Sequence, residues 1–251
     1  MTTDNISSDK KEKNAETSLS ISVFLPCYNE QENVARTVNG AIEVLSKIGA
    51  DFEIIIVNDG SSDSTGCIAD EIAQRQTSVK VVHHPTNLGY GEALKSGFKA
   101  AEKELVFYTD GDGQFDIAEL PPLLPLMESC DIVSCYRLNR QDNLLRKING
   151  WGWTKLVGLL FGLRIKDIDC AFKLYKREIF DKISLVSTGA LIDTEVLARA
   201  VCRGYKITQQ GVHHYPRAAG EQTGANIKVI LRAFKELFRL YRQIRKEAEP
   251  A

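Results

Sequence analysis

The stretch FEIIIVNDGSSDST, residues 52–65, joins a β-branched apolar run to an acidic end, one glycine and a string of small hydroxyl residues. Ile54, Ile55, Ile56 and Val57 favour an extended strand. The residues that follow suit a turn and then the start of a helix, because Ser62 or Asp63 can accept a backbone N–H of its first turn. A carboxylate in this place, Asp59, is also suited to hydrogen bonding a nucleoside at the end of a strand. Strand, polar turn and helix in that order are the unit from which parallel α/β sheets are built.

The same unit recurs on both sides. SISVFLP (20–26), VKVVHH (79–84), ELVFYTD (104–110) and CDIVSCY (130–136) read as further strands, with helices expected near 30–48, 63–75, 90–102 and 117–128. The first four strands end in CYNE, NDGSSDST, HPTNLGYG and TDGDGQ. In an open α/β sheet the ligand crevice lies outside the carboxyl ends of the strands, so these four loops should converge on one site. There is no internal repeat.

Composition narrows the classes. The 251 residues are 43% hydrophobic and 26% charged, enough for one full core. A formal net charge of -1 argues against a nucleic-acid partner, which needs a surplus of cations on the contact face. Six scattered cysteines form no CxxC pair, which fits reduced thiols and a cytoplasmic setting better than zinc or a disulfide framework. Residues 1–18 are polar, with no apolar segment of a signal peptide, and read as a disordered tail. The longest nearly apolar run, 156–163, is too short to span a bilayer.

TDGDGQFD (109–116) carries the sharpest chemistry. Residues i and i+2 of an extended chain project to one side, so Asp110 and Asp112 can face a single divalent cation, and Gln114 continues the spacing. Hard oxygen ligands suit Mg²⁺ or Mn²⁺ shared with a diphosphate. A calcium loop is ruled out by counting: with Asp110 first, Phe115 falls where glycine is required and Pro121 where a bidentate glutamate is required. NLGYG (87–91) offers glycines where backbone could approach a phosphate, or a simple turn.

Beyond residue 137 the chain becomes basic and holds both tryptophans. A strand and helices are expected in AFKLYKREIF and ALIDTEVLARAVCRG, another extended segment in KITQQGVHHYP, and a terminal helix over 226–247. In that helix Ile227, Ile230, Phe234, Leu237, Tyr241 and Ile244 fall on one stripe, with Lys and Arg elsewhere. Such a helix suits a membrane surface, a dimer contact or packing on its own core. The adjacent pairs His83–His84 and His213–His214 point to opposite strand faces, so neither is a natural chelate.

In this order and at these spacings, PCYNE (26–30), NDGSSDST (58–65), NLGYGEALKSG (87–97) and TDGDGQFD (109–116) resemble family-2 glycosyltransferases with the GT-A fold. The later DIDCAFKLYKRE (167–178) and HYPRAAG (214–220) are similar, more loosely, to dolichyl- and polyprenyl-phosphate sugar transferases of that family. The resemblance implies an α/β fold: a Rossmann-like, mostly parallel sheet flanked by helices, spanning 19–223, with a basic amphipathic helix and tail over 224–251. It implies a nucleoside pocket of Pro26, Tyr28, Glu30 and Asp59, with Gly89 and Gly91 near the donor. Asp110 would lie by the ribose or diphosphate, and Asp110, Asp112 and Gln114 would hold Mg²⁺ or Mn²⁺. Arg137, Arg146 and Arg217 would meet an acceptor phosphate. Gln222 and Thr223 depart from the family, which has Ser and Lys there.

The implied reaction is inverting transfer of a hexose from a nucleotide-diphosphate sugar, UDP-glucose or GDP-mannose in type, to a polyprenyl phosphate at the cytoplasmic membrane face. A lipid phosphate is already anionic and needs no general base. A sugar-hydroxyl acceptor would need one, for which Asp193 or Glu195 in LIDTE are the candidates. A third alternative is a non-catalytic nucleotide-sugar-binding subunit with a membrane partner; a homo-oligomer is a further option.

Overall fold

The computed structural model describes residues 19–138, 144–216 and 227–248, at 144–149, 227–235 and 248 for the backbone only. Seven strands form one sheet: β1 (Ser20–Cys27), β2 (Asp51–Asn58), β3 (Val79–His83), β4 (Leu105–Thr109), β5 (Ile132–Leu138), β6 (Phe172–Lys176) and β7 (Ile207–His213). Their order across the sheet is β3-β2-β1-β4-β6-β5-β7. β6 runs antiparallel to both neighbours, β4 and β5, and every other pairing is parallel. The helices are α1 (Val34–Lys47), α2 (Thr65–Arg75), α3 (Tyr90–Ala100), α4 (Leu144–Phe161), α5 (Glu178–Lys182), α6 (Ile192–Cys202) and α7 (Ile227–Ala248).

The apolar run 54–57 of β2 explains the layering. Successive strand residues face opposite sides, and in β2 Ile54 and Ile56 enter one core while Ile55 and Val57 enter the other. A strand covered on both faces therefore reads as a continuous apolar run. Each of these side chains is fully buried, worth about 1.5–3 kcal/mol of transfer free energy. β1 locks to β2 in register from Ser20 opposite Asp51 to Cys27 opposite Asn58, which brings the PCYNE and NDGSS loops out side by side.

Two local expectations are corrected. The expected helix over 117–128 is two 3₁₀ helices, Ile117–Glu119 and Pro121–Glu128, because Pro121, Pro122 and Pro125 cannot donate backbone hydrogen bonds. α1 begins at Val34, not near residue 30, since Glu30 still belongs to the loop and accepts from the Asn33 and Val34 amides.

At the opposite end of the sheet from the loops, the buried Glu53 carboxylate takes bonds from Ser22 Oγ (2.6 Å), Lys80 Nζ (2.6 Å) and the Glu102 amide (2.7 Å). Burial alone would raise this carboxyl, but the bonds from Lys80 and Ser22 outweigh it and hold it below its ordinary range. α7 rests on the core through Leu237, Leu240 and Ile244, all buried. The upstream members of its stripe, Ile227, Ile230 and Phe234, have side chains outside the described residues.

Candidate active site

The loops after β1, β2, β3 and β4 open onto one cleft of about 750 Å³ at the carboxyl edge of the sheet. Pro26, Tyr28, Glu30, Asp59, Gly89, Asp110 and Asp112 all line it, together with Asn29, Asn87 and Tyr90. Seven side chains or backbone positions singled out in the sequence thus meet in one place.

Hydrogen bonds between loops build its walls. Asn29, at a positive φ of 55°, receives the Ser62 amide on its side-chain oxygen (2.9 Å), while its own amide donates to Ser61 Oγ (3.0 Å). Asparagine tolerates this left-handed backbone better than most residues. Asp63 accepts from the Thr65 amide (2.9 Å) and from the Gln31 amide (3.2 Å), so it stabilises the start of α2 and ties it to the first loop. Asp59 is 4% exposed and fully engaged: Oδ1 accepts from the Leu88 amide (2.9 Å) and bonds His84 Nδ1 (2.6 Å), and Oδ2 accepts from the Gly89 amide (2.9 Å). Its carboxylate therefore holds the 87–91 loop against the cleft.

The floor is acidic. Burial, the neighbouring Asp112 and Asp193 push the Asp110 carboxyl up to about 8, opposed by a hydrogen bond from Tyr90 and the charge of Lys173. Tyr90 Oη donates to Asp110 Oδ1 at 3.1 Å. Asp112 Oδ1 accepts from the Gln114 amide (3.0 Å), which closes the DGDGQ turn. Gln114 itself is turned toward β7's extension: Nε2 donates to the Tyr215 carbonyl (3.0 Å) and the Tyr215 amide donates to the Gln114 carbonyl (2.8 Å). It does not line the cleft.

Two carboxylates held side by side in a partly desolvated cleft fit a hard divalent cation, because its charge would offset their mutual repulsion. Among the described residues no group of three His, Cys, Asp or Glu side chains converges on a metal-sized site. The remaining ligands would have to come from substrate oxygens and water, as is common for Mg²⁺ and Mn²⁺.

The other candidates lie elsewhere. Asp193 is buried beneath the floor, its Oδ1 taken by Lys173 Nζ (2.6 Å) and by the Tyr108 hydroxyl. Glu195, fully buried, accepts from the Val186 amide (3.0 Å), the Ser187 amide (2.7 Å) and Arg199 Nε (2.8 Å). Arg137, at the outer part of β5, is clamped by Asp167 through Nε (2.7 Å) and Nη2 (2.8 Å). Arg146 lies on α4 with its side chain outside the described residues, and Arg217 is outside them altogether. The histidine pairs split as strand alternation requires: His83 bonds Asn58 and Asp70, His84 bonds Asp59 and Ser96, His213 meets Glu119, and the His214 ring packs on Phe115. Sequence reasoning missed Tyr90, Asn29 and Lys173 as individual residues, although each lies within a stretch already singled out: Tyr90 in NLGYG, Asn29 in PCYNE and Lys173 in DIDCAFKLYKRE.

Comparison with known proteins bears on this arrangement. The family model described as "Glycosyl transferase family 2" matches residues 22–184, a span that contains all four loops. A dodecaprenyl-phosphate galacturonate synthase of Rhizobium johnstonii is 28% identical over 207 residues, which cover 81% of this chain and 61% of that protein. The chain therefore spans less than two thirds of that relative. Among solved structures, glucosyl-3-phosphoglycerate synthase of Mycobacterium tuberculosis in complex with UDP superimposes with a TM-score of 0.65 at 17% identity, over 90% of this chain and 80% of that one. A mannosyltransferase of Pyrobaculum calidifontis in complex with GDP-Man and Mn²⁺ gives a TM-score of 0.64 at 18% identity, over 89% and 65%. These structural likenesses establish the GT-A fold.

Proposed function

The chain belongs to glycosyl transferase family 2, and on that premise we propose that this glycosyltransferase moves a hexose from a nucleotide-diphosphate sugar to a polyprenyl phosphate, with inversion and with Mg²⁺ or Mn²⁺. The observation that carries the donor half is the meeting of Asp110 and Asp112 with Pro26, Tyr28, Glu30 and Asp59 in one cleft. The relatives that bind UDP, or GDP-mannose with Mn²⁺, support the same reading.

In this reading the nucleoside sits against Tyr28 and Glu30, and the 87–91 backbone, pinned by Asp59, borders the sugar diphosphate. Asp110 and Asp112 would hold the cation, which when bound supplies positive charge opposite the departing diphosphate. Tyr90 fixes the orientation of Asp110, and Asp112 is fixed by the Gln114 amide. The preorganised floor needs little rearrangement as charge builds on the leaving group.

The acceptor half rests on what the neighbouring carboxylates are doing. Both glutamate oxygens of Glu195 are spent on backbone amides and Arg199, and Asp193 Oδ1 is spent on Lys173 and Tyr108. Glu195 is therefore not poised to deprotonate a sugar hydroxyl, and Asp193 is held in a buried ion pair with Lys173, whereas a phosphate monoester needs no base. The relative that makes a dodecaprenyl-phosphate sugar supports the same choice. Arg137, Arg146 and Arg217 remain the proposed acceptor cations; for Arg137, the lipid phosphate would compete with Asp167.

No helix among the described residues is long and apolar enough to cross a membrane. Exposed Trp151 and Leu159 on α4, beside Lys155, Arg164 and Lys166, support peripheral contact with an anionic cytoplasmic leaflet. The test is incubation of the purified protein with Mn²⁺, a panel of labelled nucleotide sugars and a short polyprenyl phosphate. Label should appear in an acid-labile lipid product; transfer only to added sugar hydroxyls would overturn the acceptor assignment.

A further inference from the structure

A short backbone strap, residues 186–188, lies between the donor loop and the C-terminal helix. On its inner side the Thr188 carbonyl accepts the Gly91 amide at 3.0 Å. The contact is too close for any side chain at position 91: a Cβ there would stand 2.5 Å from the Thr188 carbonyl carbon and 2.8 Å from the Gly189 nitrogen. Gly89, with φ of 98°, adopts a backbone that L side chains rarely take, and a Cβ there would meet the same Thr188 oxygen at 3.0 Å. The glycines of NLGYG thus serve the approach of a second backbone from within the protein.

On its outer side the strap is held by one carboxylate. Glu195, on the first turn of α6, receives the Val186 amide on both oxygens, at 3.1 Å on Oε1 and 3.0 Å on Oε2, and the Ser187 amide on Oε2 at 2.7 Å. Its Oε1 accepts Arg199 Nε at 2.8 Å one turn along the helix. Glu195 and Arg199 are 0% and 1% exposed, so both charges have given up water and depend on one another. Arg199 Nη1 continues to Glu247 on α7, and the strap's Ser187 and Thr188 share a surface groove with Leu240 and Gln243 of that helix.

We propose that Glu195 is a positioning residue for the donor, acting through the 186–188 strap on the loop 87–91, and that the bracing extends through Arg199 to α7. The proposal rests on the reading of the cleft as the donor site. A buried carboxylate whose four bonds all point at strap and helix has no chemistry of its own to perform. Its bonds instead fix where the Thr188 carbonyl stands, and the Gly91 amide and the Asp59-bound loop are set from there. Contacts to the donor are then preorganised from behind, by a residue that touches no substrate.

Two measurements test it on the full chain. The first is amide hydrogen exchange of the ligand-free protein, wild type against E195Q and against the double variant E195Q/R199M, which removes both buried charges and leaves only the part-exposed Glu247 without its arginine partner. Exchange should quicken at 186–188 and also at 87–91, while β1 and β2 keep wild-type protection. Loosening confined to 186–188, with 87–91 unchanged in the double variant, would overturn the proposal. The second is binding of UDP and GDP in the presence of Mn²⁺, followed by turnover with the preferred donor. The double variant should bind the nucleotide about tenfold more weakly and raise the donor KM with kcat nearly unchanged. A kcat loss at unchanged donor KM would also overturn it. Failure of the wild type to bind either nucleotide would sink the donor reading instead, and the exchange experiment would still decide the bracing.

Discussion

Tyr90 donates its hydroxyl to Asp110 across 3.1 Å, joining the donor loop to the acidic floor of the cleft. The bond stabilises the ionised carboxylate against burial and the charge of Asp112. Removing the hydroxyl in Tyr90→Phe should weaken Mn²⁺-dependent nucleotide binding by about fivefold, roughly 1 kcal/mol, with little change in thermal stability. Isothermal titration with UDP and GDP checks this; affinity equal to wild type would show that Asp110 does not depend on Tyr90.

The raised Asp110 carboxyl gives a pH dependence whose sign can be stated. The folded protein keeps a proton to about 8 that the unfolded chain releases near 3.8. Its stability contribution is therefore fully present below 3.8 and is lost as pH rises through about 8. A cation on the ionised pair competes with that proton, so Mn²⁺ affinity should climb between about pH 6 and about pH 8 and then level off. Metal titrations at constant ionic strength test it, and a flat profile would contradict the assignment.

Glu53 works in the other direction. Its folded carboxyl lies below the ordinary 4.5, so the stability it adds is present above that value and lost as pH falls through the lower folded one. Glu53→Gln should lower Tm by about 4 °C at neutral pH, and the gap to wild type should close on acidification below about pH 4. Thermal melts across that range provide the check; a constant gap would mean that packing, not charge, is what the substitution removes.

Parts of this molecule were legible in the linear chain because the information was local. Each βα unit carries its strand run, turn and helix within about thirty residues, and four such turns at strand ends must share one edge of the sheet. The antiparallel β6 was not foreseen, since a direction of pairing leaves no mark in FKLYK itself. The engagement of Gln114 with Tyr215 joins positions 101 apart, and that of Arg137 with Asp167 joins positions 30 apart. Such partners are decided by tertiary packing and not by spacing. Asp193 and Glu195 lie only two residues apart in LIDTE, yet one is bound beneath the cleft floor and the other braces a backbone strap.

The central claim is that Asp110 and Asp112 hold the metal-bound diphosphate of the donor. The most direct test is calorimetric binding of a nucleotide sugar, with and without Mn²⁺, to wild-type protein and to Asp112→Ala. The account predicts metal-dependent binding in the wild type and its loss in the variant, with the fold intact by circular dichroism. Unchanged metal-dependent binding by Asp112→Ala would contradict it.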